Sequence, residues 1–261
     1  MTISSIILKI TYFPADYDTS GFLLYSFMKT SALIGILALC GFNAFATWSI
    51  IIIDPETKEI GIAGASCSYN CYGIGSIMPG KGAIIVQAMS NNEAREEGLK
   101  MIITGATPKQ IIAAIRNRKF DPERQQYSVL TVSHMNAATY TGTSTHSSNG
   151  ALTAPGISVQ GNTLAGKQVL QAVFAAALKA RNEGLRIDKV LMRALEAGSI
   201  AGGDKRCGEQ KATSAFITVT KPNDHPKRPY LDLVIFGQKK GGPNAVLMLR
   251  RKYDKWAEKE R

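Results

Sequence analysis

Thr47-Trp48-Ser49-Ile50-Ile51-Ile52-Ile53-Asp54 is the stretch on which the reading of the fold turns. It is rich in β-branched residues and carries an unbroken isoleucine run, so it is predicted to form a buried strand. Pro55-Glu56-Thr57-Lys58 reads as a turn, and Glu59-Ile60-Gly61-Ile62-Ala63-Gly64-Ala65-Ser66 returns as a second strand, giving a hairpin. Gly61 and Gly64 weaken that strand or let another group approach its backbone closely.

Working outward, residues 82–89 read as a third strand. Helices are expected over 92–103, stopped by Gly105, and over 108–118 behind an N-cap at Thr107. Residues 127–133 and 137–142 read as a second hairpin turning across His134-Met135-Asn136, and a Gly- and Ser-rich loop leads to Gly156-Ile157-Ser158-Val159-Gln160. Two more helices follow over 166–182 and 187–197. The first places Val169, Val173, Ala176 and Ala177 on one face, which suits packing against something flat. After Gly202-Gly203-Asp204-Lys205-Arg206 come strands at 213–220 and 231–236 and a last helix from about 244 to 258. Strands, two helices, strands, two helices, strands is an α+β order. Its hairpin connections favour mainly antiparallel sheets, and two helix pairs covering two stacked sheets, a four-layer αββα sandwich, fit it better than a doubly wound sheet.

The 261 residues are 45% hydrophobic and 20% charged, enough for one packed domain and too even for disorder. A formal net charge of +11 gathers partly in Lys239, Lys240 and the tail Arg250-Arg251-Lys252-Tyr253-Asp254-Lys255. Such a charge attracts anionic polymers, but no zinc finger, helix-turn-helix or interleaved basic-aromatic stripe accompanies it, so nucleic acid is not an expected partner. A solvated basic helix explains it as well.

Upstream of Thr47, Met28-Lys29-Thr30 precedes an apolar run from Ala32 to Phe42 and then Ala44-Phe45-Ala46. A short basic start, an apolar core and a small-x-small end make a secretory signal peptide, with the cut expected between Ala46 and Thr47. The expected organisation is therefore an over-extended leader at 1–27, a signal peptide at 28–46, and a secreted or periplasmic domain at 47–261. Two alternatives stand beside it. Residues 21–46 carry only Lys29 as a charge and are long enough for an uncleaved anchor, and Cys40 is a lipidation site only if the bulky Leu39 is tolerated. Membrane contact is expected only through this segment, and the sequence permits a homo-oligomer. Past the cut, Cys67, Cys71 and Cys207 allow one disulfide with one thiol left over, or none; Cys-x3-Cys with one distant Cys is weak support for zinc.

A chain that begins at Thr47 acquires chemistry. A threonine hydroxyl needs an adjacent base, and the residue's own α-amine, with a pKa of about 7.7–8.0, supplies one. Thr after a signal peptide is also commonly inert. Beyond this, Thr47-Trp48-Ser49-Ile50, Asp54-Pro55-Glu56-Thr57 and Gly61-Ile62-Ala63-Gly64-Ala65-Ser66 are joined by Gln87-Ala88, Gly98-Leu99, Gly105-Ala106-Thr107-Pro108 and Tyr140-Thr141-Gly142. Val159-Gln160-Gly161-Asn162-Thr163-Leu164-Ala165-Gly166 and Glu196-Ala197-Gly198 with Ala201-Gly202-Gly203-Asp204-Lys205-Arg206 follow in order. Together these resemble the family "domain of unknown function 1028", which is placed in the N-terminal-nucleophile (Ntn) hydrolase superfamily and whose members typically start Thr-Phe-Ser-Ile. Trp48 stands here for the Phe, and Cys67-Ser68-Tyr69-Asn70-Cys71 replaces a usually more apolar run.

The resemblance implies an amidohydrolase acting on an amide or small peptide through an acyl-enzyme on Thr47, without metal or cofactor. It implies Asn162 as oxyanion donor, unless that residue only makes a left-handed turn after Gly161. Asp204 would orient the α-amine or bind a substrate cation, or else form a loop salt bridge with Arg206. Ser66, Gln160, Gly161 and Arg206 are the substrate-binding candidates. The alternative expectation is a non-catalytic envelope protein that binds an anionic polymer or a protein partner. Gly161-Asn162-Thr163-Leu164-Ala165-Gly166-Lys167 nearly spells a phosphate loop, but Gln168 stands where Ser or Thr would hold magnesium. His134, His146 and His225 are isolated, and no Gly-x-Ser-x-Gly or His-Glu-x-x-His motif occurs.

Overall fold

The computed structural model describes residues 47–260. The leader, the signal segment and the cut after Ala46 lie outside the described residues. The opening hairpin forms as expected: β1 spans Thr47–Ile53 and β2 Ile60–Ser66, every residue of both being buried. Asp54 sets the turn, its Oδ1 accepting from the backbone N–H groups of Glu56 and Thr57 at 2.8 and 2.9 Å. β3 (Gly75–Met78) and β4 (Gly82–Ala88) precede α1 (Asn92–Ile103) and α2 (Pro108–Ile115). β5 (Gln125–Thr131), β6 (His134–Thr141), β7 (Gly150–Ala154) and β8 (Ile157–Asn162) follow, then α3 (Gln168–Asn182) and α4 (Ile187–Ile200). β9 (Ser214–Thr220), β10 (Leu231–Ile235) and α5 (Ala245–Lys259) complete the described chain.

The result is a mixed α+β fold with two antiparallel sheets, one of six strands in the order β10-β9-β2-β1-β8-β7 and one of four in the order β3-β4-β5-β6. β1 is an inner strand, paired along its length with β2 and, from Thr47 to Ile52, with β8. Alternation divides its side chains. Trp48, Ile50 and Ile52 enter a core shared with Val169 and Val173 of α3 and Leu191 of α4, while Ile51 and Ile53 join Ile85 of β4 and Leu130 of β5. A third core unites Ile84 and Val86 of β4 with Ile102 of α1 and Ile111 and Ile115 of α2. An isoleucine buried this fully contributes about 1.5–3 kcal/mol, which is why an uninterrupted isoleucine run suits a strand covered on both faces. Gly198 of α4 is where helix and strand come closest. A Cβ there would lie 2.6 Å from Trp48 Nε1, so only glycine permits the approach.

The structure corrects the sequence reading in four places. β3 and β7 were not expected. Both are edge strands of mostly half-buried residues, which leave no buried apolar run to recognise. The second hairpin turns at residues 132–133 rather than 134–136, because the register between β5 and β6 shifts between Val129 and Thr131. α2 stops at Ile115, and Asn117 opens a separate turn by accepting from Lys119 N at 3.0 Å. α3 begins at Gln168, not Gly166. The capping box at Thr107 is present, with Gln110 Oε1 accepting from Thr107 N at 2.9 Å.

Candidate active site

Strand register assembles the site. Thr47 lies opposite Ser66 of β2 and Asn162 of β8, and Ser66 lies opposite Ser214 of β9. A row Ser214, Ser66, Thr47, Asn162 therefore crosses the six-stranded sheet at one end. By strand alternation this row shares the face of Ile51 and Ile53, toward the four-stranded sheet. The next row inward holds Gly64, Ser49 and Gln160. The interface between the sheets thus has an apolar half and a polar half, with Thr47 at the polar end.

The opposing sheet answers with amides. Gln87 of β4 accepts from Ser49 Oγ at 2.6 Å and donates to Gln126 Oε1 at 2.7 Å. Gln126 Nε2 reaches Thr141 Oγ1 at 2.9 Å and the carbonyls of Gly150 and Gly161 at 3.0 Å each. Ser128 and Ser158 share a bond of 2.6 Å. Ser49, Gln87, Gln126, Ser128 and Ser158 are fully shielded from solvent and Thr141 is half-buried, so the bonds among the five stand where an unmade one would cost about 1–3 kcal/mol. Gln160 points into the same region with both amide atoms buried and unpartnered. Gln87 appeared in the sequence only as a family match, and Gln126 drew no attention. Gln87 is recognisable in principle as an amide at an inward position of an otherwise apolar strand, whereas Gln126 precedes the strand expected from residue 127.

Thr47 is 2% exposed, and its hydroxyl has no hydrogen-bond partner among the described residues. Asn162 is a strand residue; the left-handed backbone expected at that point belongs to Thr163, with φ of 52°. Asn162 Nδ2 meets Gln126 Oε1 at 3.5 Å, a long contact that leaves most of its donor capacity unused. Ala88, with φ of 67°, is a second left-handed non-glycine residue beside the site. A β-branched or alanine residue held there stores about 1–3 kcal/mol and persists only where surrounding structure enforces it.

Asp204 and Arg206 come to the same end of the sheet from the loop after α4. Asp204 is completely buried: its carboxylate accepts from Cys67 N at 2.7 Å, Arg206 N at 3.0 Å, Arg206 Nε at 3.1 Å and Arg206 Nη2 at 2.8 Å. Of the readings open for Asp204, this geometry is the loop salt bridge. Arg206 Nη2 also lies 3.5 Å from Ser66 Oγ, which accepts from Ser68 Oγ at 3.0 Å. The disulfide Cys67–Cys207 fastens the residue after Ser66 to the residue after Arg206, so the pair is held from both sides. Two of the three cysteines considered for zinc are thereby consumed. Among the described residues no cluster of three or more His, Cys, Asp or Glu is placed to hold a metal.

Gly161 lies under this arrangement, where a Cβ would stand 2.7 Å from Leu164 and 3.1 Å from the Thr47 carbonyl. The phosphate-loop resemblance at 161–167 dissolves in the structure. Leu164 N donates to Ser148 O and Ala165 N to Gly203 O, so those amides do not converge on an anion.

Thr47 forms one wall of a cavity of about 350 Å³ at the mouth between the sheets. Ser68, Cys71 and Tyr72 from the loop after β2, Ala88 and Ser90 after β4, and Arg95 of α1 line it too. Cys71 is free and buried, and desolvation pushes its thiol up to about 12, so it is not a thiolate nucleophile at neutral pH. Tyr72 donates to Asp232 Oδ2 at 2.8 Å. Of these, Ser68, Cys71 and Ala88 fall in stretches that the sequence singles out; the wall from α1 is contributed by tertiary packing.

Comparison with curated proteins finds no match. Among solved structures the chain is similar to protein SPO2555 from Silicibacter pomeroyi, a crystal structure described as DUF1028. The two are 26% identical with a TM-score of 0.68, over 80% of this chain and 85% of that one. The family model described as "Family of unknown function (DUF1028)" matches residues 47–241, a span that begins on Thr47 itself and takes in the whole polar row. The chain belongs to the DUF1028 family.

Proposed function

We propose that the protein is an exported N-terminal-threonine amidohydrolase of the Ntn type, its three cores stacked as a four-layer αββα sandwich. The observation that carries this reading is the placement of Thr47 at the first position of an inner strand, on a cavity wall, beside an underused Asn162 amide. Cutting the chain after Ala46 turns the Thr47 nitrogen into an α-amine able to act as a base near neutral pH. The amine takes the hydroxyl proton, directly or through a water, as Oγ1 attacks the substrate's amide carbon. Asn162 Nδ2 donates to the oxyanion, a contribution of about 2.7–4 kcal/mol to the barrier. The C–N bond then breaks, the protonated amine hands its proton to the leaving nitrogen, and water hydrolyses the acyl ester. Asp204 fixes Arg206 beside Ser66, the neighbour of Thr47 across the sheet, although neither Ser66 nor Arg206 lines the cavity itself. Export is supported by the Cys67–Cys207 disulfide, since such bonds persist in oxidising compartments.

The test is the N-terminal sequence of the protein recovered from its host, followed by turnover of an amide panel by wild type and Thr47→Ala. A chain starting at Thr47, and loss of all turnover in a still-folded variant, is the expected result. Undiminished turnover by Thr47→Ala sinks the mechanism. A second reading, an envelope protein that holds an anionic polymer or a protein partner without catalysis, draws on the exposed Arg251 and Lys255 of α5. Arg250 is withdrawn from that surface by Glu196, at 2.6 Å. Binding on that reading weakens with salt and is indifferent to Thr47.

A further inference from the structure

Arg95 brings a cation to the cavity that Thr47 borders, and it does so from the first turns of α1. Its Nη2 donates to Asn92 Oδ1 at 2.9 Å, which fixes the plane of the guanidinium. Its Nη1 is shut off from solvent and donates to no group. A buried, unused donor on a cationic fork is costly, and native structures keep such groups where a partner arrives from outside. Two other polar groups of the wall are already engaged: Ser90 Oγ donates to Val86 O at 2.8 Å, and the Tyr72 hydroxyl is given to Asp232. No Asp or Glu lines the cavity among the described residues. The charge on the wall itself is therefore positive, with Glu96 acting on Arg95 from outside the lining, and the start of a helix, with Ser90 and Asn92 in the wall, adds to the same sign.

We infer that this cavity holds a carboxylate of the substrate through Arg95, so that the preferred substrates are amides bearing a free carboxylate near the scissile bond. The inference rests on the Thr47 reading for the word substrate, while the anion site itself stands on the cavity and the unpartnered guanidinium. Guanidinium and carboxylate match in shape: two parallel N–H groups meet two oxygens, and a lone ammonium offers less. Desolvation lowers the Arg95 pKa against the opposing pull of Glu96, and a bound carboxylate relieves that cost.

The experiment is calorimetric titration of the full chain, as purified from its host, with N-acetylglycine and with the neutral N-acetylglycinamide. Wild type is expected to bind the carboxylate about tenfold or more tighter than the amide, as a charge-assisted hydrogen bond allows. Arg95→Met removes the difference, and Arg95→Lys keeps part of it and guards against a folding defect. Equal binding of the two probes by wild type, or a preference that survives Arg95→Met, overturns the inference whatever Thr47 does. Turnover that survives Thr47→Ala, alongside a preference that follows Arg95, refutes the nucleophile and leaves the anion site standing.

Discussion

Replacing both Cys67 and Cys207 by serine opens a covalent loop closed across a sequence separation of 140 residues. In the chain-entropy description, a loop of that size restrains the denatured ensemble by about 5 kcal/mol at 25 °C. Residual structure in the open denatured chain reduces this, so about 3–5 kcal/mol is the expected loss. Against a typical domain stability of about 5–15 kcal/mol, that is a large share. The native state, by contrast, changes little. Asp204 ties the two ends, holding Cys67 N and Arg206, so the cysteine neighbours keep their places without the bond. Urea unfolding of the oxidised wild type and the double serine variant separates these effects. With a slope of about 2 kcal/mol per molar urea, the midpoint should fall by about 1.5–2.5 M. The slope should rise as well, because the uncrosslinked chain expands further. A midpoint shift below about 0.5 M would falsify the claim that the bond acts through the length of its loop.

Other perturbations follow from the same geometry. Asp204→Ala strips Cys67 N and Arg206 of a buried acceptor; breaking such a pair costs about 3–5 kcal/mol when both charges are buried, and the partial exposure of Arg206 places this nearer about 3. Thermal unfolding checks it, and a variant as stable as wild type would show the cluster to be idle. Cys71 should resist iodoacetamide in the native protein at pH 8 and react once the chain is unfolded, because burial holds its thiol pKa at about 12; mass spectrometry reads the label, and rapid native labelling contradicts the placement. Glu123 is held down to about 2, first by the Tyr140 hydroxyl and then by Thr143, from an ordinary 4.5. A lowered carboxylate pKa adds stability that is present above about 4.5 and lost as pH falls toward 2. Tyr140→Phe should therefore flatten the acid limb of stability in that window, and an unchanged limb counts against the contact.

What the sequence disclosed follows from where the information sits. β1, β2 and the helix starts at Asn92 and Thr107 are local signals, an apolar run or a cap, and they appear where expected. β3 and β7 carry no such signal, because an edge strand with half-buried residues has no face that must be apolar. At the site, the family resemblance marks Thr47, Ser66 and Asn162, but their adjacency is a product of strand register, which one sequence does not display. The salt bridge of Asp204 and Arg206 is local enough to expect from the sequence, but the link from Asp204 to Cys67 N spans 137 residues. Gln126 and Arg95 were invisible for a different reason. One is an inward amide on a strand whose alternation was not resolved, and the other a charged residue on a helix whose solvent face looks the same as its cavity face.

The division of the sheet interface into an oily half and a polar half also governs how the chain finds its pairing. Ile50 to Ile53 present the same side chain to either face, so a one-residue slip of β1 would change nothing in that run. Thr47, Trp48 and Ser49 break the degeneracy. Slipped by one, the hydroxyls would sit under α4 among leucines while the indole met Gln87 and Gln126. The row that holds the candidate chemistry is thus also the vernier that sets the strands in phase. Substitutions there should be sorted by whether they silence a site or let a hairpin mispair, since Ser49→Val would remove one of the three marks by which β1 tells one face from the other.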